Sequence, residues 1–373
     1  MASSSESLSS LGYHIIPSFL SPSQLTTLRA AASHLTALAR RGKWPSVRTL
    51  SKQFPPWPIP SEESPLPIWG VQHLLHPDLP LPEEERRAFV SLYFEGRLLD
   101  ICCALLGESI DGQGSRGGCI DNDDDAVRGE WEGKGPRDGY DGERGEQEGS
   151  KNIKKARKED LVMELFNMLV TPGGGEVDDT VNPTDPVDNT TTNTNGPKTG
   201  AAKDTTLFAL TWHRDSIPWS TSPSQEAHLL SLPAFHTQYN LALYDDSSLE
   251  LVPSSHKRIR TPSELTTPLD QPMPGATIVA LRAGDMVFYD SNIIHRGVYD
   301  GTKKRMTLHG SVGHVRGSEA RAKNVLQHGV GTYVERCDFS CLEEKERGVA
   351  ERMRRHLVEM GRGRGHVGYS LEG

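Results

Sequence analysis

A histidine and an aspartate two residues apart, in "TWHRDSIPW" (211–219), are the first residues with chemistry to offer. In extended chain, residues i and i+2 face the same way. His213 and Asp215 would then aim an imidazole nitrogen and a carboxylate oxygen at one point, with Trp212 and Arg214 turned away. Such a pair can begin a metal site. Alone, it is as readily a polar turn. Trp212 and Trp219 read as wall packing, and Ile217, Pro218 and Trp219 as a candidate pocket rim.

A third donor comes from "GDMVFYDSNIIHRGVYDGTKKRMTL". His295 sits there on an apolar strand, where a lone histidine is usually a core residue bonded to backbone. Arg305 changes the balance. It follows ten residues later, across an expected Asp300-Gly301 hairpin, and can reach the pocket that His295 faces. A half-buried guanidinium calls for an anion, and a carboxylate matches its fork best. A structural salt bridge to an acid elsewhere is the competing reading. Two histidines and one carboxylate occupy three adjacent positions of an octahedral ion and leave three open, as in non-haem Fe(II) oxygenases. The nearby arginine then points to a dicarboxylate co-substrate. His309 shares strand parity with Arg305 and is a further candidate for the pocket wall. The other histidines show no ligand spacing.

These residues need a rigid scaffold. "GYHIIPSFL" reads as a strand. "SPSQLTTLRAAASHLTALARRGKW" reads as a helix capped by Ser21, with Pro22 in its first turn and Gly42 at its end. A second helix is expected over 82–106. Strands follow at 161–170, 206–215, 237–246, 248–253, 276–281, 286–290, 292–299 and 305–315, with turns at Gly284-Asp285 and Asp300-Gly301. A last helix is expected over 342–360. Two helices followed by about eight strands suggest a mostly β fold with flanking helices, built on a jelly-roll core. Residues from about 111 to 160 and from about 173 to 205 are rich in Gly, Asp, Asn and Thr and poor in large apolar groups, so they read as disordered insertions.

The chain resembles the phytanoyl-CoA dioxygenase family of Fe(II)/2-oxoglutarate oxygenases, in particular its fungal branch. The matching stretches are "LGYHIIPSFLSPSQLTTLR", "ELFNMLVTP", "TWHRDSIPW", "QYNLALYDDSSLELVPSSHKR" and "AGDMVFYDSNIIHRGVYDGTKKRMTL". The resemblance implies a double-stranded β-helix (jelly-roll, cupin-like) core over 10–315, with 316–373 as a helical extension. It implies His213, Asp215 and His295 as iron ligands and Arg305 as anchor for the distal carboxylate of 2-oxoglutarate. It also implies co-substrate or substrate contacts for Asn167 and Asn240. The family's "PGSH" turn reads Pro253-Ser254-Ser255-His256 here, so Ser254 must accept a conformation that glycine adopts easily. Gly297 stands where the phytanoyl enzyme has a hydroxyl side chain, and Thr307 is a candidate to replace it. Asp215 disfavours halogenation, because halogenating relatives lack that carboxylate.

Bulk properties narrow the field. The net charge is −9, and residues 121–150 supply most of it, with eleven acids against four bases. The remainder is near neutral, which gives no nucleic-acid surface. Cys102, Cys103, Cys119, Cys337 and Cys341 form neither a disulfide framework nor a zinc pattern. No apolar run is long enough to span a membrane, and the N-terminus does not read as a signal peptide. The expected protein is an intracellular, cytoplasmic enzyme using Fe(II), 2-oxoglutarate and O2 on a small-molecule substrate, with no nucleic-acid or membrane partner. Rival readings are a metal-dependent hydrolase or isomerase on the same barrel, which leaves Arg305 without a task, and a non-catalytic binding protein. The substrate and the oligomeric state are not legible.

Overall fold

A computed structural model describes residues 4–50, 52–58, 67–109, 156–172, 207–232 and 235–367. The chain runs α1 (Ser4–Leu11), β1 (Tyr13–Ile16), α2 (Pro22–Arg40), β2 (Val47–Thr49), β3 (Ile68–Val71), α3 (Glu83–Tyr93), α4 (Gly96–Ser109) and β4 (Leu161–Val170). It continues β5 (Leu207–Ala209), α5 (Pro223–Ser231), β6 (His236–Ala242), β7 (Asp246–Leu251), α6 (Pro262–Thr266), β8 (Thr277–Leu281), β9 (Met286–Tyr289), β10 (His295–Asp300), β11 (Met306–His314), α7 (Glu319–Gln327) and α8 (Glu344–Gly361).

Helix α2 begins where its cap dictates. The Ser21 hydroxyl accepts from the Gln24 amide, and the Gln24 side chain accepts from the Ser21 amide in return. Two orphan donors of the first turn are thereby satisfied. The expected single helix over 82–106 is two: α3 ends at Tyr93 and α4 starts at Gly96. The break lets Tyr93 turn inward, where its hydroxyl donates to Ser311 O and accepts from Glu164 N.

The strands divide between two antiparallel sheets. A seven-stranded sheet has the order β1-β9-β6-β11-β4-β3-β2, and a four-stranded sheet the order β5-β10-β7-β8. From β4 to β11 the chain passes back and forth between them, which is the winding of a double-stranded β-helix. The expected Asp300-Gly301 hairpin is a crossing instead, and so is the turn at Gly284-Asp285. Gly284-Asp285 carries the chain from β8 in the small sheet to β9 in the large one, and the turn at 300–305 carries it from β10 to β11. Gly284 takes φ +90°, and Asp285 closes its turn by accepting from the Arg282 and Ser18 amides. Local turn chemistry is the same for a hairpin and a crossing; only the partners of the flanking strands differ.

The expected strand at 206–215 is short. β5 ends at Ala209, and the chain beyond it leaves the ladder. Strands β2 and β3 extend the large sheet from a Pro-rich stretch with no clear strand pattern. The segments read as insertions lie outside the described residues except at 156–160. There Ala156 is buried and Lys158–Asp160 form a 3-10 turn into β4, so the insertion reading overreaches by about one turn. Ser254 does adopt the left-handed conformation, at φ +61°, and its hydroxyl donates to Ser10 O.

The main core lies between the outer face of the large sheet and the helices. Leu28, Leu35, Phe89, Leu98 and Met168 are buried in it. The C-terminal helices share this core: Val325 of α7 and Ala350, Met353 and Leu357 of α8 are all fully buried there. Residues 316–367 are therefore packed on the β-helix. Leu357→Ala should cost ~2–5 kcal/mol of unfolding free energy, the range for a buried leucine truncation. A single urea transition shifted by that amount is expected; a loss below ~1 kcal/mol would place α8 outside the cooperative core.

Candidate active site

The segment after β5 is held to β10 by Leu210 N, which donates to Gly297 O at 2.9 Å, and then by one isolated bridge. His213 N donates to His295 O and His295 N donates to His213 O, both at 3.1 Å. This reciprocal pair places the two histidines directly opposite each other, with ring centroids 4.5 Å apart. Asp215 N donates to Ser291 O at 2.8 Å, which turns the Asp215 carboxylate back toward both rings. Asp215 Oδ1 lies 3.5 Å from His213 Nε2, and Oδ2 lies 3.8 Å from His295 Nε2. Among the described residues, His213, Asp215 and His295 are the group of metal-type donors that converges, with ligand atoms all within 4.8 Å of one another.

The ring nitrogens facing away are already committed. His213 Nδ1 lies 2.8 Å from Thr211 O and His295 Nδ1 lies 2.9 Å from Ile293 O. A carbonyl only accepts, so Nδ1 carries the proton in each neutral ring and Nε2 keeps its lone pair. Burial pulls His295 down to about 4, even against the Asp215 charge. His213 moves the other way: burial lowers it, but its bond to Asp215 more than offsets that. For Asp215, burial opposes the charge, yet His295, His213 and the Gln238 amide hold the carboxyl well below its usual range. An ionised carboxylate and two imidazole lone pairs meet at one point, with the fourth side opened by Gln238 Nε2 at 2.8 Å.

Arg214 points away, as strand parity requires, and fixes the segment from behind. Its Nε donates to Glu226 at 3.1 Å and its Nη1 to Ser255 O at 2.9 Å. Further bonds reach Asn292 O and Arg258 O. Arg260 shares Glu226 and also holds Trp219 O and Thr221 O. Arg214, Glu226 and Arg260 are all nearly inaccessible. Trp212 packs in the wall under the Arg296 guanidinium. Ile217 and Trp219 belong to this backing layer, Trp219 under Arg260 at 4.6 Å, and neither they nor Pro218 line the cavity, so the expected rim is elsewhere.

The triad opens into a cavity of about 160 Å³ between the two sheets. Arg305 lies in its wall, over the Tyr299 ring at 4.4 Å. Its Nε donates to Asp246 at 3.2 Å, so it does have an acidic partner, from β7. This is the structural salt bridge that stood as the competing reading; which acid makes it was not legible, because Asp246 lies 59 residues away in the other sheet. Arg305 Nη1 remains buried without a hydrogen-bond partner, and a carboxylate in the cavity would satisfy it. Thr307 is fully buried behind the wall and donates to the same Asp246 oxygen at 2.8 Å; it orients the acid and does not reach the cavity. Thr307 therefore does not present its hydroxyl there, and the phenol of Tyr299 lies beside Gly297 instead. Gly297 makes room for it, since a Cβ there would stand 2.7 Å from the phenol oxygen.

Asn240 and His309 line the cavity, joined at 2.8 Å between Oδ1 and Nδ1. Burial, and then the Arg48 charge, lower His309 to about 4. Asn167 does not face the cavity; its Oδ1 accepts from the His73 amide at 2.9 Å. Several lining residues were missed. Gln238 and Tyr289 sit on strands correctly expected, and strand parity could have found them. Arg48 on β2, and Arg321 and His328 on or beside α7, had no local signal.

Residues 133–305 match the family model described as phytanoyl-CoA dioxygenase (PhyH). Over that stretch the chain is similar to the phytanoyl-CoA dioxygenase family. The family match carries the assignment of a 2-oxoglutarate-dependent oxygenase working with Fe(II) and O2. No curated protein matches significantly. Among solved structures, similarity extends to AviO1 from Streptomyces viridochromogenes Tue57 (15% identity, 83% of this chain and 93% of that one, TM-score 0.42). It extends also to EctD from S. alaskensis with 2-oxoglutarate and 5-hydroxyectoine (13%, 85% and 77%, TM-score 0.45). A third is HygX from Streptomyces hygroscopicus with nickel and 2-oxoglutarate bound (13%, 82% and 84%, TM-score 0.39). The donor chemistry of this PhyH-like chain suits a divalent ion: two Nε2 lone pairs, one carboxylate, and outer bonds that fix both rings. The backing clamp is open to test. Glu226→Gln would leave Arg214 and Arg260 without their shared counter-charge, at an expected cost of ~3–5 kcal/mol by chemical denaturation. A loss below ~1 kcal/mol would show that the segment carrying the site does not depend on the clamp.

Proposed function

We propose that the chain hydroxylates a small organic molecule, with Fe(II) held by His213, Asp215 and His295 and 2-oxoglutarate anchored by Arg305. The observation that carries this reading is the convergence of two imidazole Nε2 atoms and one carboxylate beside a buried, half-satisfied guanidinium. The chemistry that bound Fe(II) supplies is oxidative, consuming 2-oxoglutarate and O2 and releasing succinate and CO2 as the substrate gains a hydroxyl.

The protein's part is binding, orientation and water exclusion. Thr211 O and Ile293 O keep each imidazole in the tautomer a metal requires. Gln238 donates to Asp215 Oδ2 and leaves Oδ1, 3.5 Å from His213 Nε2, without that bond. Arg305 presents Nη1 to the distal carboxylate, while Asp246, steadied by Thr307, holds the guanidinium at the far end from the triad. The Tyr299 phenol lies against the same guanidinium and covers it from solvent. Asn240 and His309, on neighbouring strands β6 and β11, form one hydrogen-bonded unit, placed to contact whatever fills the remaining space. Residues 10–315 form the catalytic unit in this reading, and the segment from 316 onward completes the cavity through Arg321 and His328.

Wild type incubated with Fe(II), 2-oxoglutarate and O2 should form succinate; His213→Ala should lose both metal binding and succinate. Full metal and 2-oxoglutarate binding by His213→Ala would sink the ligand assignment. Arg305→Leu should keep the metal but weaken 2-oxoglutarate by about 30-fold or more, the lower end of the ~2–5 kcal/mol cost of stranding a buried charge partner. Unchanged 2-oxoglutarate affinity would remove that role from Arg305.

A further inference from the structure

Three guanidinium groups line the cavity, and two already face a carboxylate. Arg305 has Asp246, and Arg321 has Glu164 with Nε to Oε1 at 3.1 Å. Arg48 has no acid partner among the described residues. Its Nε is buried without a hydrogen-bond partner. Its guanidinium lies over the Trp69 ring at 5.4 Å. A half-buried guanidinium whose buried Nε–H lacks an acceptor is unfavourable in the free protein and favourable once a ligand supplies one. Burial weakens the basicity of Arg48, and the groups that oppose that loss, Tyr299 and Asp215, belong to the site itself.

Arg48 and the co-substrate anchor lie over different rings. Arg305 lies over Tyr299 and Arg48 over Trp69, and those rings stand 5.8 Å apart in one aromatic cluster. Burial holds His328 down to about 3 and His309 to about 4, with Arg48 the next contributor in each case. His309 and His328, which line the same cavity, are thus neutral and leave charge recognition of an anion at that end to the guanidinium. We propose that Arg48 binds an oxyanion group of the substrate, a carboxylate or a phosphate, so that the substrate is a small anionic molecule. This rests on the assignment of Arg305 to 2-oxoglutarate. A planar fork suits either oxyanion in bidentate fashion, and the Trp69 ring lies beneath the guanidinium.

The test is anaerobic calorimetry on the full chain with Fe(II) and saturating 2-oxoglutarate, titrated with inorganic phosphate and, separately, with acetate. Wild type is expected to bind at least one, and the tighter of the two names the group. Arg48→Gln should weaken that anion about tenfold or more, the scale of a charge-assisted hydrogen-bonded pair, while 2-oxoglutarate affinity stays within about twofold. Arg48→Lys, which keeps the charge and loses the fork, should fall between them; it carries the test if circular dichroism shows Arg48→Gln misfolded. The proposal is overturned if neither anion binds wild type or if binding is indifferent to Arg48. It is also overturned if Arg48→Gln weakens 2-oxoglutarate as much as Arg305→Leu does, which would make Arg48 part of the co-substrate site. If wild type fails to bind 2-oxoglutarate at all, the functional reading falls, and the anion titrations without 2-oxoglutarate still decide Arg48.

Discussion

Two backbone hydrogen bonds between His213 and His295 join a segment that has left its strand to the first residue of another. Everything in the candidate site depends on that reciprocal pair. It places the imidazoles opposite each other, and the next turn of chain brings Asp215 to both. An isolated bridge of two bonds contributes little by itself, since a net hydrogen bond is worth about 1 kcal/mol. The segment stays in place because Arg214, the residue between His213 and Asp215, is buried behind it in an ion-pair network with Glu226 and Arg260. Burial lowers the Arg214 guanidinium to about 10, although Glu226 opposes this. It therefore remains charged near neutrality and keeps its bonds to the Ser255, Asn292 and Arg258 carbonyls.

The site has two electrostatic halves. At the triad, one carboxylate is ionised among two histidines, a donor set for a cation. Farther into the cavity the balance reverses, with guanidinium groups from three different elements. Arg305 and Arg321 are each tied to an acid, and this fixes their direction without using every donor. Such a layout suits a dicarboxylate lying with one end at the cation and the other at Arg305. Asp246 and Thr307 have the same purpose for Arg305 that Thr211 O and Ile293 O have for the histidines: each spends one polar bond to aim the remaining atoms.

The helices matter to this arrangement beyond covering the sheet. α7 brings Arg321 to Glu164 and His328 to the cavity, and α8 holds α7 in place through the shared core. β2, at the far edge of the large sheet, delivers Arg48 across the aromatic pair Trp69 and Tyr299. Residues that define the metal-facing end come from the β-helix, while those that shape the far end come partly from elements outside it. A pocket built this way can keep its oxidative end unchanged while its substrate end varies.

Much of this was legible in the linear chain. His213 and Asp215 at i and i+2, His295 on a strand and Arg305 beyond a turn were all readable, because strand parity is a local property. The left-handed turn at Ser254 was legible only through the family resemblance, whose turn has glycine there. What the sequence could not determine was which sheet each strand joins. A turn such as Asp300-Gly301 has the same chemistry whether it closes a hairpin or crosses between sheets, so the Asp246 partner of Arg305 and the true position of Thr307 were hidden. Asn167 faced backbone for the same reason: parity sets which side a residue takes, not what lies there. Arg48, Arg321 and His328 depended wholly on tertiary structure. Nothing within a few residues of them sets them apart, and only long-range packing brings them to one cavity.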